Sequence, residues 1–228
     1  MSSPLIVALD LEPKEAMDLA KKLDPEDCKL KVGSKLFTSS GPSIVNSLND
    51  MGFKIFLDLK FHDIPNTVYG AIQEACKLNV WMTNVHCSGG LEMIKSAKKS
   101  MLENSESTKT IVVGVTLLTS IGPTEAKKIG INSVKNQTIE LARLAKEGGL
   151  DGVVCSPQEV KNIKQNIGRE FLTVTPGIRR RSSKGDQKRI STAQEAVKNG
   201  SDYLVIGRPI TESKNPVKSI KSLLKEVL

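Results

Sequence analysis

Two oppositely charged side chains interrupt the apolar segment that begins at residue 55. Asp58 and Lys60 are separated by one apolar residue, and Asp63 follows shortly after them. Because alternate residues of an extended strand point to the same face, Asp58 and Lys60 are predicted to share one face of a buried strand. Charges are costly to bury unless they are paired, so the pattern indicates either a structural ion pair or a functional one. A fixed ammonium beside a fixed carboxylate suits a reaction that forms a carbanion and protonates it at once.

Lys31 and Asp10 extend this set of candidate residues, since each belongs to or directly follows an earlier apolar segment. If these segments end at the same edge of one sheet, carboxylates and ammonium groups meet there and keep one another ionised near neutral pH. Lys31 on its own is equally compatible with a rim lysine whose ammonium reaches solvent.

A second candidate site lies at Gly207 and Arg208, directly after the apolar segment 203–206. A glycine lets backbone N–H groups approach an anion, and the guanidinium of an arginine offers a planar set of donors that matches phosphate oxygens. The pair by itself is also compatible with a turn glycine and a solvated arginine. Its place after the last apolar segment favours phosphate binding, because α/β barrels often hold a phosphate there.

The run 179–189 is strongly basic and includes Arg179 and Gln187. It contains no aromatic residue that would stack on a nucleic-acid base, and aromatic residues make up only 4% of the chain. We therefore interpret the run as a loop that folds over a phosphate, in which one or two cations contact the ligand and the others are solvated.

Short segments rich in Val, Ile and Leu predict the strands that position these residues. Stretches with helical spacing separate the segments. They span residues 5–9, 30–32, 55–59, 82–85, 111–115, 152–155, 172–174 and 203–206. Such alternation predicts a parallel sheet with right-handed crossovers, and eight units predict one TIM (β/α)8 barrel domain over residues 1–228. A doubly wound open sheet is the alternative.

Proline and glycine predict several helix boundaries. Pro13, Pro42 and Pro157 stand where helices are expected to begin, and Gly148 and Gly200 where helices are expected to end.

Composition limits the kinds of partner. The chain has 228 residues and a formal net charge of +8, so an anionic partner is expected. No apolar run approaches the roughly 18 residues of a membrane span, and the first residues lack the basic region of an export signal. We expect a cytoplasmic protein that binds neither membrane nor nucleic acid.

The four cysteines show no C-x-x-C spacing, and the neighbours His86 and Cys87 are predicted to point to opposite faces, so no metal site is predicted.

The whole chain resembles the orotidine 5′-phosphate decarboxylase family in its bacterial, stand-alone form. The most specific match is DLKFHDIPNT at residues 58–67, and the motifs VALD, KVG, NVH, GVTLLTS, LDGVVCS and VTPGIR surround it in the family's order. The resemblance implies an enzyme of pyrimidine biosynthesis that converts orotidine 5′-monophosphate to uridine 5′-monophosphate and CO2 through a carbanion-like intermediate, with no metal and no organic cofactor.

The same resemblance implies roles at the reacting centre. Asp10 contacts the ribose, and Lys31 contacts both the ribose and the neighbouring charges. Asp58 lies against the substrate carboxylate. Lys60 delivers the proton to C6 as CO2 leaves.

The remaining implied contacts hold other parts of the substrate or come from a second subunit. Thr119 helps hold the substrate, Gln187 bridges the basic loop and the phosphate, and the phosphate itself is bound by Arg179, Gly207 and Arg208. A homodimer is implied because two further residues reach into the partner's site, the catalytic Asp63 and the substrate-binding Thr67.

Two other functions are compatible with parts of the sequence. Magnesium-dependent sugar-phosphate lyases or decarboxylases of the same suprafamily share the Asp-x-Lys-x-x-Asp strand, but they typically carry a glutamate where Lys31 stands, and an ammonium there would repel the metal. A noncatalytic nucleic-acid-binding protein would use the basic run 179–189, but that function leaves the carboxylates at the strand ends unexplained.

Overall fold

Within residues 3–104, 110–179 and 191–228, which the computed structural model describes, eight parallel strands form a closed barrel in chain order. The strands are β1 (Leu5–Ala8), β2 (Lys29–Gly33), β3 (Ile55–Phe61), β4 (Met82–His86), β5 (Ile111–Val115), β6 (Gly152–Val154), β7 (Leu172–Thr175) and β8 (Tyr203–Ile206). The first strand pairs with the last, as Val7 opposite Ile206 shows. The predicted TIM barrel is therefore confirmed, and an open doubly wound sheet is excluded.

Helices cover the outside of the barrel and alternate with its strands. They are α1 (Pro13–Ala20), α2 (Ser34–Ser40), α3 (Pro42–Asp50), α4 (Pro65–Lys77), α5 (Leu91–Asn104), α6 (Pro123–Lys128), α7 (Val134–Glu147), α8 (Val160–Asn166), α9 (Ala193–Lys198), α10 (Arg208–Thr211) and α11 (Pro216–Val227). The apolar faces of these helices pack on the outward side chains of the strands, which form the larger part of the core.

Local sequence explains most helix ends. Pro13 and Pro42 occupy the first turns of α1 and α3, where the missing backbone N–H would have no helical partner in any case. The prediction for Pro157 is wrong, because α8 begins only at Val160. Glu159 accepts a hydrogen bond from the backbone N–H of Ser156, and this contact stabilises a turn between β6 and α8.

Apolar side chains fill the interior of the barrel. Ile6, Phe56, Met82 and Val174 pack together there, with almost no exposed surface. Phe56 also lines the floor of an open cavity at the carboxyl ends of the strands. Among the described residues, apolar side chains thus fill the barrel below this cavity, which opens at the end where α/β barrels place their chemistry.

Lys29 closes the opposite end of the barrel. Its ammonium donates a 2.6 Å hydrogen bond to the carbonyl of Ser3 and lies over the rings of Trp81 and Tyr203, at 5.1 and 5.4 Å from their centroids. Burial, together with the charge of Lys54, lowers the pKa of Lys29 to about 8. These contacts are structural, and neither Lys29 nor its partners line the cavity.

The described part of the chain contains no helix with both the length and the apolar character needed to cross a membrane.

We expect Gly152→Ala to destabilise the barrel. A Cβ at this position of β6 would overlap the backbone carbonyl of Leu172 on β7, which cannot move aside as a flexible side chain would. Overpacking of this kind lowers the free energy of unfolding by about 1 to 3 kcal/mol. Gly70→Ala in α4 is the control, since its added Cβ meets open space. Thermal unfolding of both variants measures the difference. If Gly152→Ala proved as stable as the wild type, the pairing of β6 with β7 at this position would be refuted.

Candidate active site

A cavity of about 540 Å³ opens at the carboxyl ends of the strands. Residues of β1, β2, β3, β5, β6 and β8 and of the loops after several strands, including the loop after β7, form its wall. Most of the site residues predicted from the sequence line it, namely Asp10, Lys31, Asp58, Lys60, Thr119, Arg179, Gly207 and Arg208. The structure therefore brings residues that are distant in the sequence to one cavity. Asp10 and Arg208, for example, are 198 positions apart.

Four of these side chains form a line of alternating charges. The Lys31 ammonium lies 3.0 Å from Asp10 Oδ1 and 3.3 Å from Asp58 Oδ2, and the Lys60 ammonium lies 2.7 Å from Asp58 Oδ1. The inner two side chains are 9% and 11% exposed, whereas Lys60 is 34% and Asp10 63% exposed. Lys31 is thus a buried member of the charge network and not a rim lysine that reaches solvent.

The inner pair stays ionised because each member has partners of opposite charge. Burial alone would raise the pKa of Asp58, but the charges of Lys31 and Lys60 outweigh burial and hold the pKa below its usual value. Burial alone would lower the pKa of Lys31, but Asp58 and Asp10 raise it above its usual value. A buried carboxylate and a buried ammonium are therefore both charged at neutral pH.

These pKa shifts define the pH range in which the network stabilises the fold. The contribution of Asp58 is present above its unfolded pKa of about 4 and is lost as the pH falls through the lower folded value. The contribution of Lys31 is present below its unfolded pKa of about 10 and is lost as the pH rises through the higher folded value. Both contributions are complete at neutral pH.

The backbone of β3 differs from the extended strand that the sequence predicted. Lys60 has a φ of 52°, in the left-handed region that residues other than glycine seldom adopt. The pairing of β3 with β4 is irregular between Leu57 and Phe61. Asp58 and Lys60 do meet inside the barrel mouth as predicted, but they do so through a local distortion and not through regular alternation.

Gly33 provides the space that the charge network occupies. A Cβ at this position would lie 2.9 Å from the Lys31 ammonium and 3.1 Å from Asp10 Oδ1. The φ of Gly33 is −93°, which any residue adopts, so the glycine is required by space and not by backbone conformation. A larger residue would push Lys31 away from its carboxylate partners.

Cationic and small residues line the side of the cavity nearest β7 and β8. The Arg179 guanidinium donates to the carbonyl of Ile178, and Arg208 is exposed at the start of α10. A Cβ at Gly207 would meet only Ala8, at an ordinary 3.7 Å. Gln187, which was predicted to contact the phosphate, lies outside the described residues.

Asp63 and Thr67 are the predicted site residues that lie apart from this cavity. Both are exposed, and a carboxylate oxygen of Asp63 accepts a hydrogen bond from the backbone N–H of Ile64. The side chain of Ile64 between them is 67% exposed. Within one chain, neither residue reaches the line of charges.

The two histidines lie together at the rim, next to the line of charges. Their ring centroids are 5.3 Å apart, with His62 exposed and His86 partly buried. Burial, with the charges of His62 and Lys60, lowers the pKa of His86. Among the described residues, no group of three or more histidine, cysteine or acidic side chains is arranged to hold a metal ion.

Asn84 is a site residue that the sequence analysis did not identify. Its side chain has no exposed surface and bonds to both Asp58 and Lys60. The available signal was the presence of asparagine, a residue type that is depleted in strands, within a predicted strand.

An eight-stranded parallel barrel with ionised groups at the carboxyl ends of its strands defines the class of α/β-barrel enzymes. A family comparison narrows this class. The family described as "Orotidine 5′-phosphate decarboxylase / HUMPS family" matches residues 3–223. The chain belongs to this family.

Individual relatives agree with the family match over almost the full chain. An orotidine 5′-phosphate decarboxylase of Legionella pneumophila (strain Corby) is 51% identical, with all of both chains covered. One from Pseudoalteromonas translucida is 49% identical over 99% of this chain and 97% of the relative. The crystal structure of orotidine 5′-phosphate decarboxylase from Lactobacillus acidophilus superposes with a TM-score of 0.88 at 40% identity and covers 99% of each chain.

We expect Lys31→Met to lower the free energy of unfolding by about 3 kcal/mol at neutral pH, because Asp58 would stay buried with one cation fewer. The double variant Lys31→Met/Asp58→Leu removes both buried charges and should recover most of this loss. Urea denaturation of the wild type and the two variants measures the difference. If the single and double variants lost the same stability, Asp58 would not depend on Lys31 for its burial.

Proposed function

We propose that the protein decarboxylates orotidine 5′-monophosphate to uridine 5′-monophosphate and CO2, as a step of pyrimidine biosynthesis. The observation that carries the proposal is the line of alternating charges from Asp10 through Lys31 and Asp58 to Lys60 at the cavity. The names of the relatives supply the substrate, since proteins about half identical to this chain are called orotidine 5′-phosphate decarboxylases.

The reaction needs a cation close to the carbon that loses CO2. When the bond between C6 and the carboxylate breaks, its electron pair remains on C6 as a very basic carbanion. The line of charges contains two cations, Lys31 and Lys60. Lys60 is the more exposed of the two, with about a third of its side chain exposed to the cavity and solvent. Its ammonium stabilises the developing negative charge and then transfers a proton to C6, which completes uridine 5′-monophosphate.

Asp58 has two roles in this proposal. It fixes the Lys60 ammonium through the 2.7 Å ion pair, so that the proton donor does not have to reorganise during the reaction. It also lies against the substrate carboxylate, and the repulsion between the two negative charges is relieved as neutral CO2 leaves. Lys31 keeps Asp58 ionised while both negative charges are in the site.

The rest of the substrate binds away from the reacting carbon. In the proposal Asp10 and Lys31 contact the ribose, Thr119 helps hold the substrate, and the phosphate lies against Arg208 with the neighbouring Arg179, Gly207 and Gln187. The support is that all of these except Gln187 line one cavity. Binding energy from the phosphate can then hold the reacting group in the orientation that the charges require.

We further propose that the reaction requires no metal and no organic cofactor. The Lys31 ammonium occupies the space between the carboxylates of Asp10 and Asp58, where a divalent cation would otherwise find its ligands. The electrostatic role that a metal plays in other lyases is thus assigned to lysine side chains. The magnesium-dependent alternative would need Lys31 to leave this position.

The active form in this proposal is a homodimer in the cytoplasm. Asp63 and Thr67 are exposed outside the cavity of their own chain, beside the exposed apolar side chain of Ile64. A second copy that covers this surface would bury Ile64 and receive Asp63 and Thr67 at its own site. Each site would then contain residues of both subunits.

The substrate and the absence of a metal requirement are tested by one assay. Purified protein is treated with a chelator, and ultraviolet absorbance is followed after orotidine 5′-monophosphate is added. We expect rapid loss of substrate absorbance and formation of uridine 5′-monophosphate. Conversion that returns only when magnesium is restored would support the metal-dependent alternative, and no conversion under either condition would refute the proposed function.

The shared site is tested by mixing two inactive variants. We expect Lys60→Ala to lose decarboxylation but still bind uridine 5′-monophosphate, and Asp63→Ala to be strongly impaired, because each removes a group needed at the reacting centre. After subunits exchange, half of the dimers are hybrids with one intact site, so about a quarter of wild-type activity should return. If activity does not return although size measurements and tagged subunits show hybrid dimers, Asp63 does not act across the interface.

A further inference from the structure

The distortion in β3 leaves one residue of β4 opposite three residues of β3. Leu57 pairs with Thr83 and Phe61 pairs with Val85, so Asn84 alone faces the stretch from Asp58 to Lys60. Extra residues on one strand interrupt the regular ladder of backbone hydrogen bonds. Lys60, in its left-handed conformation, therefore needs another acceptor for its partly buried backbone N–H.

The side chain of Asn84 supplies this acceptor and makes a second bond in the opposite direction. Its Oδ1 accepts a 2.8 Å hydrogen bond from the backbone N–H of Lys60, and its Nδ2 donates a 2.7 Å hydrogen bond to Asp58 Oδ1. The chemistry of the partners fixes the orientation of the carboxamide, because a backbone N–H only donates and an ionised carboxylate only accepts. Both ends of the carboxamide are used, and the side chain has no exposed surface.

These two bonds hold the two ends of one ion pair. Asp58 Oδ1 accepts from Asn84 and also from the Lys60 ammonium, at 2.7 Å in each case. Asn84 thus restrains the carboxylate of Asp58 on one side and the backbone from which the Lys60 side chain extends on the other. Few other residue types carry a donor and an acceptor so close together on so short a side chain.

We propose that Asn84 is a positioning residue that holds the Lys60 ammonium in the direction required for proton delivery to the reacting carbon. The inference rests on the proposed function. Asn84 acts through Asp58 and Lys60 and takes no proton itself. Its removal should therefore slow the chemical step, while the groups that bind the ribose and the phosphate remain in place.

The test compares two variants of Asn84 with a control on the same strand. Asn84→Leu keeps a similar volume and removes both hydrogen bonds, and Asn84→Ala removes both with a smaller side chain. The control is Thr83→Val, which removes the 3.0 Å hydrogen bond from the Thr83 hydroxyl to the carbonyl of Leu57, between the same two strands. For each protein, kcat and KM are measured with orotidine 5′-monophosphate, and Kd is measured for uridine 5′-monophosphate.

We expect kcat to fall by about 100-fold in the Asn84 variants, a loss typical of a reacting group displaced by about 1 Å. KM and the Kd of uridine 5′-monophosphate should stay within about 3-fold of wild type, as should all constants of Thr83→Val. The proposal is overturned if kcat stays within about 3-fold of wild type in the Asn84 variants. It is also overturned if both variants lose nucleotide binding or fail to fold, because Asn84 would then have a general structural role.

The same experiment separates this inference from the proposed function. If wild type and Thr83→Val do not convert orotidine 5′-monophosphate, the proposed function itself fails. If both convert it and Asn84→Leu does so equally well, only the role of Asn84 fails.

Discussion

The burial of one carboxylate, that of Asp58, determines much of the structure around the cavity. An ionised group with so little exposed surface is stable only if cations and hydrogen-bond donors surround it. Lys31, Lys60 and Asn84 provide these partners from three neighbouring strands. Gly33 is small because Lys31 must lie beside it, and β3 leaves its regular ladder where Lys60 turns back toward Asp58. The buried charge of Asp58 thus explains particular residues on three strands, namely Lys31 and Gly33 on β2, Lys60 on β3 and Asn84 on β4.

The solid floor of the barrel and the charged mouth depend on each other. Apolar side chains such as Phe56 exclude water from below, and this strengthens the interaction of each ion pair above them. The charges in turn keep the mouth open, because the charged ends of Asp10 and Lys60 need solvent or a ligand. The cavity is therefore polar at its mouth and apolar where it meets the core.

The fold could be predicted from sequence because it depends on repeated local signals. Short β-rich segments separated by helical spacing gave all eight strands, with end points within about two residues of those in the structure. The start of α8 could not be placed in this way, because a hydrogen bond between Glu159 and Ser156 competes with the proline signal. The closing of the barrel follows from the number of units and from the hand of their crossovers.

The site was predictable only in part. The meeting of Asp58 with Lys60 was predicted from their spacing, but the left-handed backbone through which they meet was not, since no glycine marks it. Asn84 was missed because its importance arises from the register between β3 and β4, which no single segment encodes. The roles proposed for Asp63 and Thr67 require a second subunit, whose placement a single sequence does not encode.

The left-handed backbone at Lys60 has a consequence for the stability of variants at this position. Such a conformation costs about 1 to 2 kcal/mol for a residue with a side chain, and asparagine, which tolerates it better, occupies the equivalent conformation at Asn79 after α4. Glycine or asparagine in place of Lys60 would relieve this strain but would leave the buried Asp58 with one cation fewer, so the two effects on stability oppose each other. The ion pair with Asp58 thus offsets the strain in the backbone that carries Lys60. A barrel with glycine at this point would need a second change, at Asp58, to keep the gain in backbone stability.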